Sequence, residues 1–238
     1  MSSVIHAIQQ KLRDQADPVK ADFFPHFFKL EEGDTDEFLG VTVPKQRQIV
    51  KEYYKQLTPK EVLELLHSTV HEERLTALMI WVTQFKRGNE DTRAEIYDLY
   101  LQNTQWVNNW DLVDTSCRDI VGAFIFDKDQ TILDQLSTSK NMWEQRIAMV
   151  STWYFIREGQ FGWTLKLAEH YLGHTHHYIH KATGWMLREV GKRDRAVLLD
   201  FLDEHAAEMP RTALRYAIEH LDEVTRRSYM HQLPKLAK

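Results

Sequence analysis

The chain has 238 residues, 43% hydrophobic and 27% charged, values ordinary for a globular protein in water and long enough to bury a sizeable core. No apolar stretch approaches the roughly 20 residues of a membrane helix, and the opening MSSVIHAIQQKLRDQ lacks the basic, apolar and small-residue order of a secretory signal, so a cytoplasmic protein without a membrane partner is expected. The lone Cys117 leaves no disulfide framework and no CxxC motif and reads as a small core residue, while the formal net charge of −5 means that any nucleic-acid binding must come from a local basic face.

Glycine and proline punctuate the chain as helix boundaries. Pro18 follows Asp17, Pro44 follows a Val-Thr-Val stretch, and Pro59 lies in Thr58-Pro-Lys-Glu61, a capping-box pattern; each predicts a helix start. Thr69-Val-His-Glu72 predicts another, followed by Leu75, Leu78, Val82 and Phe85 at helical spacing and a stop at Gly88. Asn141-Met-Trp-Glu144 opens a further helix, and Gly159, Gly173 and Gly191 each predict a stop. No run alternates like a strand, so roughly a dozen or more short helices joined by short loops are expected.

Aligning helix starts sets Arg74-Leu-Thr-Ala-Leu beside Arg146-Ile-Ala-Met-Val, Lys181-Ala-Thr-Gly-Trp and Arg211-Thr-Ala-Leu-Arg. The first step is 72 residues, twice 36, and the next are 35 and 30, the size of a two-helix repeat. The expectation is an all-α, HEAT-like helical-repeat solenoid, one curved domain over residues 1–238. In a solenoid one repeat position lines the concave face, so Arg74, Arg146, Lys181 and Arg211 predict a basic stripe there; the alternative is four cations on solvated faces by coincidence.

One repeat after Arg74, Asn108-Asn-Trp-Asp-Leu-Val-Asp114 interrupts that stripe. Trp110 and Asp114 share a helix face, while Leu112, Val113, Ser116, Ile120 and Ala123 form the core side. A carboxylate facing a groove would repel phosphate, so Asp114 needs another reason; a favourable place near a helix N-terminus, with Asn109 as cap, suffices more easily for Asp111. Trp185 shares a stripe with Lys181 and Arg188, opposite Ala182, Met186 and Val190, and either faces the groove or packs on a neighbouring repeat. Arg146 sits on a helix apolar over most of its circumference and needs an anion, either a phosphate or Asp114. The crowded His170, His174, His176, His177 and His180 read as polar loop and helix surface rather than a metal site, since no HExxH motif accompanies them.

NNWDLVDTS, NMWEQRIAMV and HKATGWMLREVGK, with FLGVTVPKQRQIVK and HEERLTALMIW before them, resemble the corresponding segments of the AlkD-type DNA alkylation-repair glycosylases, which are HEAT-like-repeat proteins. The resemblance implies Asp114 as catalytic aspartate, Trp110 and Trp185 as flanking tryptophans, Arg146 and Arg188 as phosphate contacts, and an aromatic near the first helical hairpin, Phe27 or Phe28 here in place of tyrosine. Arg47, Lys181 and Arg74 are placed with Phe27 among the DNA-binding residues. It further implies a monomer that needs no cofactor and excises positively charged N3- or N7-alkylated purines from double-stranded DNA with the base left stacked. A scaffold of the same fold that binds damaged or branched DNA without cleaving it is the alternative.

Overall fold

The structure is a computed structural model describing residues 3–28 and 36–231. It packs as two compact units, Met1–Ile120 and Val121–Lys238. The first holds α1 (Ser3–Asp14), α2 (Pro18–Phe28), α3 (Val43–Tyr53), α4 (Leu63–Leu66), α5 (His71–Arg87), α6 (Glu90–Gln102) and α7 (Trp110–Cys117). The second holds α8 (Ala123–Ile125), α9 (Ile132–Ser137), α10 (Met142–Arg157), α11 (Gly162–His170), α12 (His177–Arg193), α13 (Arg195–His205), α14 (Arg211–Ala217) and α15 (Glu223–Met230). Among the described residues the only β-type pairing is an isolated bridge between Glu37 and Val70, so the fold is all-α, and no described helix is long and apolar enough to cross a membrane.

Short polar side chains start these helices. Asn89, Asn109 and Asn141 each accept a backbone N–H at the start of α6, α7 and α10, and Asp194 and Asp222 do the same for α13 and α15. The Thr58–Glu61 capping box forms in both directions, with Glu61 Oε2 accepting from the Thr58 amide at 2.8 Å and Thr58 Oγ1 accepting from the Glu61 amide at 3.3 Å. The helices at the aligned repeat positions pack on one another, α5 on α7, where Trp110 replaces the basic residue, in the first unit and α10 on α12 and α12 on α14 in the second. That side-by-side succession is the packing of a HEAT-like helical repeat.

α5 is the centre of the first unit, touching α1, α3, α4, α6 and α7. Its first turn is buried although it reads His71, Glu72, Glu73, Arg74, so each charge needs an internal partner. Glu72 finds three: its carboxylate accepts the backbone N–H groups of Leu39, Gly40 and Val41 at 3.0, 2.8 and 3.1 Å. Glu73 takes Gln9 Nε2 at 2.9 Å and Arg13 at 3.2 Å, tying α1 to α5.

α12 plays the central part in the second unit, against α10, α11, α13 and α14. Gly191 does not stop this helix, which runs on to Arg193 before Asp194 caps α13. Its role is proximity, since a Cβ there would lie 2.3 Å from Leu198 Cδ2 of α13. Gly184 is tighter still, because a Cβ would lie 2.2 Å from the Ala213 carbonyl oxygen of α14, a backbone atom that cannot rotate away. Gly184→Ala is therefore expected to destabilise the protein by about 1–3 kcal/mol, the overpacking cost exceeding the helix-propensity gain of about 1 kcal/mol. Thermal unfolding checks this, and a raised melting temperature would show that α14 shifts freely.

Candidate active site

α7 is short, and everything about its placement is fixed at its first turn. Asn109 Oδ1 accepts the Trp110 N–H at 2.7 Å, and Leu112, Val113, Ser116 and Cys117 are buried, which turns Trp110 and Asp114 to the half-exposed side as the periodicity predicts. Cys117 is fully buried, as expected of a small core residue. Ile120 is buried too, whereas Ala123, assigned to the same core side, is only half-buried.

Trp110 packs on the end of α2, with ring centroids 5.8 Å from Phe27 and 5.6 Å from Phe28. The two phenylalanines divide the work: Phe28 is buried, and Phe27 is 50% exposed beside Trp110. Asp114, one turn after Trp110, lines a cleft of about 550 Å³ with Arg47 and Lys51 of α3, Lys86 and Arg87 of α5, Thr115, Arg118 and Asp119. Asp119 bonds Lys86 at 2.9 Å and Arg118 at 2.7 Å. Burial works against its charged form, but these two cations prevail and hold its carboxyl below the usual carboxylate range. The cleft thus presents five cations and two carboxylates, and one carboxylate is already engaged by two of the cations.

The buried start of α5 lies beside the base of α7. His71 Nε2 is 2.8 Å from Asp111 Oδ2 and Nδ1 is 3.0 Å from Asp36 Oδ2. Burial opposes charge on the ring, yet Asp111 and then Asp36 outweigh it and raise the pKa from 6.5 to about 9, with the Arg74 charge pulling the other way. Arg74 itself is only 3% exposed and is paired with Asp36. This corrects the expectation that Arg74 lines an open basic face: its partner is a carboxylate inside the first unit, and the cleft's cations are others.

The second unit carries the remaining residues. Arg146 is 5% exposed and its Nη1 donates to the Tyr178 carbonyl at 2.6 Å, so it ties α10 to α12 instead of standing in an open stripe. Lys181, Trp185 and Arg188 are half-buried along one side of α12, with Ala182, Met186 and Val190 in the core. Trp185 packs edge-on against Trp153 of α10, centroids 5.0 Å apart, and its Nε1 donates to Glu189 at 3.2 Å. Lys181 lies 5.7 Å over the Tyr178 ring, and Arg188 is paired with Glu219. A basic stripe made of the aligned repeat positions is thus not what the structure presents, since Arg74 and Arg146 are both buried. The histidines serve as local caps and links. His176 Nδ1 accepts the Tyr178 N–H at 3.2 Å, His174 Nδ1 accepts the His176 N–H at 3.0 Å, and His174 Nε2 meets Gln145 Oε1 at 2.8 Å. Among the described residues no group of three or more His, Cys, Asp or Glu side chains is arranged to hold a metal.

Lys51, Lys86, Arg87, Arg118 and the Asp36–His71–Asp111 chain escape sequence reasoning, because they meet only in three dimensions from three helices and a loop. The fold has counterparts among solved structures. It superposes on a "predicted DNA alkylation repair enzyme" from Enterococcus faecalis with a TM-score of 0.71 at 18% identity, over 88% of this chain and 98% of that one. A second, smu.31 of Streptococcus mutans UA159, gives a TM-score of 0.53 at 15% identity over 92% of this chain and all of the other. At such identities these likenesses establish the fold alone. No curated protein matches the chain by sequence. The sequence model described as DNA alkylation repair enzyme, however, matches residues 8–221, nearly the whole of both units and every candidate residue. By that match the chain belongs to the DNA alkylation repair enzyme family.

Proposed function

We propose that this protein is a monofunctional DNA glycosylase that removes cationic N3- or N7-alkylated purines from duplex DNA, acting as a monomer in the cytoplasm. The observation that carries the reading is Asp114 on the lining of a cleft otherwise rich in Arg and Lys. The cleft cations attract the phosphate backbone even with Lys86 and Arg118 engaged by Asp119, and a second carboxylate among them weakens that attraction, so we attribute its place to a positive charge that the substrate brings. An alkylated purine is such a substrate: its glycosidic bond is already weak, and the sugar becomes a cation as the bond breaks. Asp114 stabilises that cation and orients water, and the electron-rich face of Trp110 favours the same charge. Phe27, beside Trp110, offers a further apolar surface; Trp185 is proposed as the second unit's catalytic tryptophan, and Lys181 and Arg188 are assigned by us to DNA contacts made by that unit, whereas Arg146, buried against the Tyr178 carbonyl, is not.

The test is single-turnover release of free alkylated base from methylated duplex DNA by the pure protein. The expected product is an intact abasic strand, with chelator making no difference, because the chemistry asks only for carboxylate, aromatic face and water. A protein that binds such DNA and releases no base is the non-catalytic scaffold instead. If the cleft cations hold even two phosphates, affinity for undamaged duplex should fall roughly tenfold for a fourfold rise in salt. Charge-reversing Arg47 and Lys51, both exposed, should flatten that slope, and an unchanged slope would move DNA binding to another surface.

A further inference from the structure

Both ring nitrogens of His71 point at carboxylate oxygens, Asp111 at 2.8 Å and Asp36 at 3.0 Å. An ionised carboxylate only accepts, so the two contacts are hydrogen bonds together only when both nitrogens carry protons and the ring is an imidazolium. Nothing about its local position favours that charge. His71 is buried and sits in the first turn of α5, where the helix dipole disfavours a cation. The charge is sustained by two carboxylates brought from elsewhere in the fold, Asp111 from α7 and Asp36 from the segment before α3, while Arg74 of its own helix opposes it and pairs with Asp36. The same Asp36 is held below the usual carboxylate range, burial being overcome by His71 and Arg74. Two rings complete the cage. Phe28 of α2 and Phe38 lie 4.7 and 4.9 Å from the imidazole, and α2 faces it with Phe28 as its contact.

What this cage holds is the first turn of α7. Asp111 follows Trp110 directly and precedes Asp114 by less than one turn, and its other oxygen caps the Leu112 N–H at 2.9 Å. Phe28, packed on the imidazole, is also packed on Trp110 at 5.6 Å. From these contacts we infer that His71, as an imidazolium clamped between Asp36 and Asp111, is a positioning residue that sets the direction of Trp110 and Asp114. The inference rests on the glycosylase reading for its activity measurement and on geometry alone for its spectroscopic one. Loss of the ring proton leaves one carboxylate facing a bare nitrogen, so α7 loses its clamp as pH rises. The sign is that of a raised pKa: the clamp is complete below the ordinary value of 6.5 and is lost through about 9.

Single-turnover base release at saturating protein should be level near neutral pH and fall through the His71 transition to a plateau about tenfold lower. His71→Gln, which keeps a donor and cannot carry charge, should slow release about tenfold at neutral pH, abolish the alkaline fall, and leave affinity for undamaged duplex unchanged. Asp111→Asn removes one supporting charge and should move the alkaline limb down by about one unit or more, which answers the question if His71→Gln does not fold. In parallel, the His71 ring and a fluorotryptophan at position 110 are followed by NMR against pH in the wild-type protein, with Trp110→Phe for assignment. The Trp110 signal should move with the His71 titration. Wild-type release by His71→Gln, a limb unmoved in Asp111→Asn, or a Trp110 signal that stays still while His71 deprotonates would each overturn the inference. Absence of base release by the wild type would defeat the glycosylase reading, and the NMR titration would then decide the positioning role by itself.

Discussion

Asp114→Asn is expected to slow base release by on the order of 10²-fold or more while the protein folds and binds undamaged DNA as before or slightly more tightly. Asparagine keeps the size of the side chain and an oxygen acceptor, so the half-exposed position on α7 is undisturbed and only the negative charge is lost. A preorganised charge facing a developing sugar cation acts at the moment the bond breaks, which is why its loss falls on the rate of that step and not on binding. The cleft sharpens this contrast. With Arg47, Lys51, Lys86, Arg87 and Arg118 around it, removing a carboxylate makes the surface more attractive to phosphate, so weaker catalysis should come with equal or better binding. If Asp114 served only the N-terminal field of α7, the substitution would cost at most about 1 kcal/mol of stability and leave release alone. Single-turnover release beside thermal unfolding separates the two. Trp110→Ala and Trp185→Ala belong in the same series, and three folded variants with wild-type release would assign the protein to the non-catalytic scaffold.

The parts of this molecule that could be read from sequence are those decided within one or two turns of chain. Pro18 and Pro44 and the Asn109 and Asn141 caps are local devices, and the helices begin where they stand, whereas the Thr58–Glu61 box closes a turn and α4 starts only at Leu63. The 3.6-residue period turned Trp110 and Asp114 out of the core for the same reason. Gly191 misled because a glycine near the end of an apolar run has two uses, and only the distance to Leu198 shows that this one serves close packing of helices. The arginines misled because their partners are distant in sequence. Arg74 is matched by Asp36, 38 residues away, and Arg146 by the Tyr178 carbonyl, 32 residues away, so a periodic basic position became two buried links. His71 carried no signal at all, since its meaning lies in two aspartates from different segments. The cleft cations other than Arg47 were hidden likewise, coming from α3, the last turn of α5 and the residues after α7.

Glu72 should prove the costliest charge to remove for stability. Its carboxylate is buried and accepts three successive amides, Leu39, Gly40 and Val41, from a segment that no helix or sheet otherwise satisfies. Gly40 has a φ of 78°, and a Cβ there would lie 2.2 Å from the Asp17 carbonyl oxygen, so this segment is drawn close to the start of α2 as well. Glu72→Ala leaves three inward-facing N–H groups without an acceptor. Glu72→Gln keeps one oxygen for the Gly40 and Val41 amides and turns its amide donor toward the Leu39 N–H. Unsatisfied buried donors and a lost charged acceptor each cost roughly 1–3 kcal/mol, so a smaller loss is expected for Glu72→Gln and one of about 3 kcal/mol or more for Glu72→Ala. For a protein of this length that lowers the melting temperature by roughly 6–12 °C. The loss should begin locally: in Glu72→Gln the amides of residues 39–41 should exchange with solvent faster than those in the core of α5, because the segment opens before the unit does. The segment leads directly into α3 and Arg47, so a folded Glu72→Gln protein should also bind undamaged duplex more weakly. Melting within about 0.5 kcal/mol of wild type, with amides 39–41 still protected, would mean that their protection comes from something other than the Glu72 carboxylate.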